Sequence, residues 1–390
     1  MSIDVARARQ ETPGCQQVLH FNNAGAALMP QSVLDACMHH LQREAHTGGY
    51  EAAAEAHDAL ENTYTALARM LGCHPEEIAI VENATRAWDM AFYAMSFAPG
   101  DRILTARSAY ASNYIAFLQV TQRTGATVEV IESDTHGQIN VDKLRAAIDE
   151  RVKLIALTHV PGNGGLVQPA AEVGQVAKEA DIPFLLDACQ SAGQMPLDVD
   201  TLGVDMLSST SRKFLRGPRG VGLLYVRRRL LEHLEPPLLD LHAATWVAPD
   251  RFEIRPDARR FENWESNVAA KIGLGVAVDY ALDWGLDAIQ QRVVHLAATL
   301  REHLGDVPGV QVQDLGVHRC GIVSFSSSRL DAETIKALLR EQGINVSVSV
   351  PSTTRLDAEN RNLPDLVRAS VHYYNTEAEI DHFCTTLQDL

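Results

Sequence analysis

Short apolar runs alternate with segments whose apolar residues recur at helical spacing through most of the chain. The runs of strand character are Glu77–Val81, Arg102–Thr105, Thr127–Ile131, Leu154–Thr158, Pro183–Leu186, Asp205–Ser208 and Val221–Val226. Strands this apolar bury both faces, as in a largely parallel sheet covered by helices. The segment from Thr85 sets Ala87, Met90, Ala91 and Ala94 on one helical face. A long helix from about Val268 to Trp284 is expected to join two domains. Beyond Asp306 the texture changes. Gly321–Ser326, a helix over Ala332–Gln342, strands Asn345–Ser347 and Leu366–Val371, and a last helix from Thr376 predict a smaller α+β unit. The polar stretch Ser349–Asn362, with Pro351 inside it and Pro364 just beyond, predicts a loop over a site. The expected architecture is α/β: a large domain over 21–265 with a mostly parallel seven-stranded sheet, and a small domain made of 1–20 and 266–390.

The chain's 390 residues are enough for one large and one smaller domain. A hydrophobic share of 46% with 22% charged residues is that of an ordinary globular protein. The net charge of −16 argues against nucleic acid and anionic membranes as partners. The first residues, Met-Ser-Ile-Asp-Val-Ala-Arg, lack the apolar core of an export signal, and no run is apolar enough to span a bilayer. The six cysteines are scattered without a C-x-x-C pair, so neither a disulfide framework nor a zinc site is expected. These observations point to cytoplasmic residence and a small-molecule partner.

Two features carry chemistry. The run Pro183-Phe184-Leu185-Leu186 ends in Asp187-Ala188-Cys189-Gln190, and Lys213 follows Leu207-Ser208-Ser209-Thr210-Ser211-Arg212. An acid at one strand end and a lysine after a neighbouring strand suit pyridoxal 5'-phosphate. The lysine holds the cofactor as a Schiff base, and the acid keeps the pyridine nitrogen protonated. Asp at a strand end also caps helices, and a lone lysine near a turn is often only a surface residue. Thr210 and Arg212 would reach a phosphate beside Lys213, and Gln190 is placed to donate to the phenolic oxygen. Cys189 is expected to pack against the sheet. In Glu82-Asn83-Ala84-Thr85, the Ala84 and Thr85 backbone N–H groups and the Thr85 hydroxyl open a helix, which is either an anion site or an ordinary cap. Arg368 lies in an apolar strand where an unpaired charge is costly. A bidentate grip on a substrate carboxylate would account for it, as would an internal ion pair. Asn163, on the glycine-rich turn His159–Gly165, is a further candidate for the carboxylate or the cofactor.

With these residues in view, the chain resembles the class V aminotransferase family of fold-type I pyridoxal phosphate enzymes, which includes cysteine desulfurases, selenocysteine lyases and isopenicillin N epimerase-like proteins. The likeness runs from Phe21-Asn22-Asn23-Ala24-Gly25 to Val367–Glu377, and is most specific at Asp187–Gln194 and around Lys213. It implies Lys213 as cofactor lysine and proton shuttle, Asp187 at the pyridine nitrogen and Gln190 at the phenolic oxygen. It also implies Thr85, Thr210 and Arg212 at the phosphate, Arg368 and Asn23 at the substrate, and a homodimer.

Three departures stand out. The family's desulfurases carry a nucleophilic cysteine on a small-domain loop. Counting to that position reaches Ser352 from Gly343 and Thr353 from Arg368, and no cysteine occurs between Cys320 and Cys384. A persulfide mechanism needs a thiolate there. The family's ring-stacking histidine, just before the position of Asn113, is replaced within Ala109-Tyr110-Ala111-Ser112, which makes Tyr110 the expected stacker. Glu265 stands where a threonine reaches the partner subunit's phosphate. The expected reaction is β-elimination from a cysteine-derived or otherwise β-substituted L-amino acid. Transamination, epimerisation and non-catalytic cofactor binding remain as alternatives.

Overall fold

The computed structural model describes residues 3–390. Its main sheet has seven strands: β1 (Ile78–Val81), β2 (Arg102–Ala106), β3 (Thr127–Ile131), β4 (Val152–Thr158), β5 (Phe184–Asp187), β6 (Met206–Thr210) and β7 (Gly222–Val226). They lie in the order β1-β7-β6-β5-β4-β2-β3. Only β7 runs antiparallel to its neighbours. Successive residues point to opposite faces of a strand. Leu186 and Leu207 enter one core while Leu185 and Met206 enter the other, which is why these runs read as continuously apolar.

The small unit has a four-stranded antiparallel sheet in the order Val310–Val312, Ile322–Ser327, Leu366–Ser370, Ser347–Ser349. It shares a core with helices Leu286–Gly305, Ala332–Glu341 and Glu377–Asp389. Ala8 and Phe21 from the start of the chain enter that core too. The helix Val268–Trp284 serves both units: Ala270, Leu274 and Val278 pack in the large-domain core, and Ala281 in the small one.

Three local features differ from the sequence expectation. The stretch Ser349–Asn362 is mostly helical, with a 3-10 turn Pro351–Thr354 and an α-helix Arg355–Arg361. Its polar residues are helix-stabilising i,i+4 pairs, Arg355 with Glu359 and Asp357 with Arg361. Asn362 ends the helix in the left-handed conformation. A hairpin of Ala244–Ala248 and Arg251–Ile254 escaped the reading because it buries neither face. Strand Val310–Val312 is a short edge strand. Among the described residues, no helix is long and apolar enough to cross a membrane.

Candidate active site

A cavity of about 750 Å³ opens where the C-terminal ends of β4, β5 and β6 meet the small unit. Parallel sheets place their sites at such strand ends. Lys213, Asp187, Gln190, Ala84, Thr85, Tyr110, Thr210, Arg212 and Arg368 all line it. Asp187 is the last residue of β5, paired with Thr158 and Ser208 on the flanking strands. Asn113 Nδ2 donates to its Oδ2 at 2.9 Å and the Cys189 N–H to its Oδ1 at 2.9 Å, so the carboxylate is held in one orientation. Lys213 follows β6 on a turn packed against Gly193. A Cβ on Gly193, whose φ is +91°, would come within 2.4 Å of the Phe214 carbonyl and the Leu215 nitrogen. Burial lowers the Lys213 pKa below the ordinary lysine range, partly offset by Cys189 and Asp187.

Opposite, the helix Ala84–Phe92 begins with its N-terminus at the cavity, capped by the Asn83 side chain on the Arg86 N–H. Gly222 of β7 lets this turn lie close, since a Cβ there would sit 2.7 Å from the Asn83 carbonyl carbon. Arg368 reaches the cavity from the small sheet. Its Nη1 donates to the Gly162 carbonyl at 2.8 Å, and its buried Nε has no partner. Burial, then the charge of Arg212, lowers its pKa to about 10. Among the described residues no carboxylate pairs with it, so the internal ion pair that would have explained it is absent.

Two candidates are placed elsewhere. Asn163 donates to Asp357 Oδ2 at 3.1 Å and does not line the cavity, its amide being spent on the helix over the site. Asn23 is fully buried just behind the wall. Its amide donates to Ser370 O at 2.6 Å and its oxygen accepts from Tyr374 Oη, while its neighbours Ala24 and Gly25 form the lining. Cys189 lines the cavity instead of packing away from it, and burial followed by the Asp187 charge raises its thiol pKa well above the usual value. Asn113, Gly162, Ser349, Thr353 and Thr354 were not singled out as lining residues. Asn113 left a trace in the sequence, three residues after Tyr110 on the same helix start, and Ser349, Thr353 and Thr354 lie in the stretch expected over the site.

Threonine hydroxyls and a helix N-terminus beside two unpaired arginines suit a phosphate and a carboxylate. A lysine facing a fixed carboxylate suits an aldehyde and a pyridine nitrogen. The buried orphan Nε of Arg368 is a donor that an anionic group would satisfy, and the orphan Oε1 of Gln190, whose amide N–H is spent on the Ala24 carbonyl, calls for a donor: the cavity is built for a polar ligand. The comparisons agree. The Aminotransferase class-V model matches residues 19–383. A probable cysteine desulfurase of Synechocystis is 29% identical over 98% of this chain and 94% of its own. One from Xylella fastidiosa is 30% identical over 99% and 95%. The cysteine desulfurase of Thermococcus onnurineus superposes with TM-score 0.92 at 26% identity, covering 100% of this chain and 98% of that one. The cystine C–S lyase C-DES, solved with its product cysteine persulfide, gives 0.87 at 25% identity, covering 97% and 99%. A C-DES variant was solved with glycine covalently linked to the pyridoxal phosphate cofactor.

Fold, cavity and relatives together define a pyridoxal phosphate-dependent enzyme. The chain belongs to the class V aminotransferase family.

Proposed function

We propose that this enzyme cleaves the Cβ–S bond of a cysteine-derived L-amino acid by β-elimination. The observation that carries this reading is the absence of a thiol on the small-unit wall of the cavity, since Cys320 and Cys384 do not line it. Val348, Ser349, Thr353 and Thr354 form that wall, and Cys189 is the one cysteine among the described lining residues. Its raised pKa keeps Cys189 protonated and a poor nucleophile. A leaving sulfur group therefore departs without being captured by the protein.

Arg368, with its free Nε, would grip the substrate carboxylate and fix the amino acid relative to Lys213. Asp187, pinned by Asn113 and the Cys189 N–H, would hold a proton on the ring nitrogen. Thr85, Thr210, Arg212 and the N–H groups at Ala84 and Thr85 would hold the phosphate. Bound pyridoxal phosphate withdraws electrons from the substrate α-carbon. Lys213 Nζ, its pKa lowered by burial, would take the α-proton. Loss of that proton allows the Cβ–S bond to break with its electron pair on sulfur, and water then yields pyruvate and ammonia. The test is to incubate pure enzyme with cystine and S-substituted cysteines, without a keto acid. Pyruvate and thiol or persulfide in equal amounts support elimination, and a strict need for a keto acid acceptor replaces it with transamination.

The enzyme is further proposed to act as a homodimer. Trp246 and Phe252 on the hairpin and the nearby Trp264 are 78%, 52% and 53% exposed, a large apolar area for a free surface. Sedimentation at micromolar concentration tests this, and a monomer under those conditions rejects it.

A further inference from the structure

Arg216 lies three residues after Lys213, is 1% exposed, and adopts a left-handed φ of +60°. Left-handed backbone is costly for a side chain of this size and persists where the surroundings demand it. Its own N–H donates to the Lys213 carbonyl at 2.9 Å, so the residue closes the lysine turn. Its guanidinium then reaches away from the sheet. Nε donates to Leu28 O at 2.9 Å, one Nη to Tyr373 Oη and the other to Thr12 Oγ. The ring centroids of Tyr374, Tyr373 and Tyr280 lie 4.6, 5.1 and 5.6 Å from its central carbon. Among the described residues no carboxylate pairs with it. Glu11, an acid that feels its charge, is spent on Arg7 and Tyr280.

The hydrogen-bond partners come from three separate parts of the chain. Thr12 belongs to the N-terminal segment. Leu28 follows the lining residues Ala24 and Gly25, and the neighbouring Ala27 N–H is bonded to the Arg212 carbonyl at 2.9 Å. Tyr373 and Tyr374 follow the strand Leu366–Ser370 that carries Arg368. A second tie runs parallel, from His372 Nε2 to the Phe214 carbonyl at 2.9 Å. A buried cation contributes little net stability where apolar side chains would fill the same space, so geometry is the better account of its presence. We propose that Arg216 is a positioning residue that sets the distance between Lys213 in the large unit and the carboxylate-binding Arg368 in the small one. Its effect falls on ligands that must touch both ends of the cavity and spares those that touch only the lysine end.

The inference rests on the reading of Arg368 as the carboxylate grip, and the experiment separates the two. Holoenzyme is titrated with glycine, which has a carboxylate, and with ethylamine, which has none, and binding is followed by the cofactor's absorbance. The ratio of the ethylamine to the glycine dissociation constant measures how well the carboxylate end is aligned. Arg216→Met is expected to weaken glycine by about 10²-fold, the cost of a misplacement near 1 Å, and ethylamine little. In an Arg368→Met background the same change should alter the ratio by no more than about twofold, because the two act through one interaction. Equal weakening of both ligands, an unchanged ratio, or full additivity in the double variant would overturn the proposal. If Arg216→Met does not fold, Tyr373→Phe and Thr12→Val each remove one bond and should each lower the ratio several-fold. An unchanged ratio in both overturns it equally. If Arg368→Met alone leaves the ratio unchanged, the carboxylate reading has failed and this proposal falls with it. If only Arg216→Met is silent, the carboxylate reading survives and this proposal does not.

Discussion

Replacing Arg368 by methionine should make the substrate-free enzyme more stable and nearly inactive. The guanidinium is pushed below the ordinary arginine value to about 10, chiefly by burial and then by Arg212. That difference corresponds to about 3 kcal/mol against the charged folded form. The cost is fully present below about pH 10, where both folded and unfolded arginine are protonated, and fades only as pH rises toward the ordinary arginine value. Methionine removes it and also removes the bond to the Gly162 carbonyl, worth about 2 kcal/mol with a charged donor. The net expectation at pH 7 is a gain of about 1 kcal/mol. For catalysis the sign reverses. Losing a charge-assisted carboxylate contact should cost about 3 kcal/mol, or on the order of 10²-fold in kcat/KM. Urea denaturation of the substrate-free variant and pyruvate release from an S-substituted cysteine measure the two effects. A variant less stable by about 1 kcal/mol or more, with kcat/KM unchanged, would mean that Arg368 is only a pin on Gly162 and would refute the reasoning.

Other outcomes follow from the same geometry. Lys213→Ala should no longer be linked to its cofactor by borohydride, as read by intact mass, whereas wild type gains the mass of the reduced cofactor. His159 is buried and its pKa is lowered to about 4 by burial alone. It stabilises the fold fully above its unfolded pKa of about 6.5, and that contribution is lost as pH falls from there to about 4. Denaturation at pH 7 and pH 5 should differ by about 2 kcal/mol more in wild type than in His159→Gln. Glu262 is fully buried; against burial, His242 at 3.4 Å and then Lys271, the Ile80 N–H and Tyr64 hold its pKa low. Glu262→Gln leaves Lys271 uncompensated and should cost about 3 kcal/mol in urea.

The main sheet was legible because its strands, apart from the edge strand Thr127–Ile131, are buried on both faces. An apolar run bounded by turns needs no tertiary information to be recognised. The acid at the end of β5 and the lysine after β6 were equally visible, since position relative to a strand end is a one-dimensional property. The exposed hairpin and the short edge strand left no such pattern. Nor did the helix Arg355–Arg361, whose stabilising residues are all charged. The sequence by itself determined the strands, a lysine and an acid at the ends of neighbouring strands, and an arginine inside an apolar strand. Only the tertiary structure decided that Asn163 is spent on Asp357, that Asn23 stands behind the wall, that Cys189 faces the cavity, and that Arg216 joins Lys213 to the strand of Arg368. The physical reason is that hydrogen-bond partners and burial are set by contacts between residues far apart along the chain. An amide or a guanidinium has the same appearance in sequence whether it is free or already engaged.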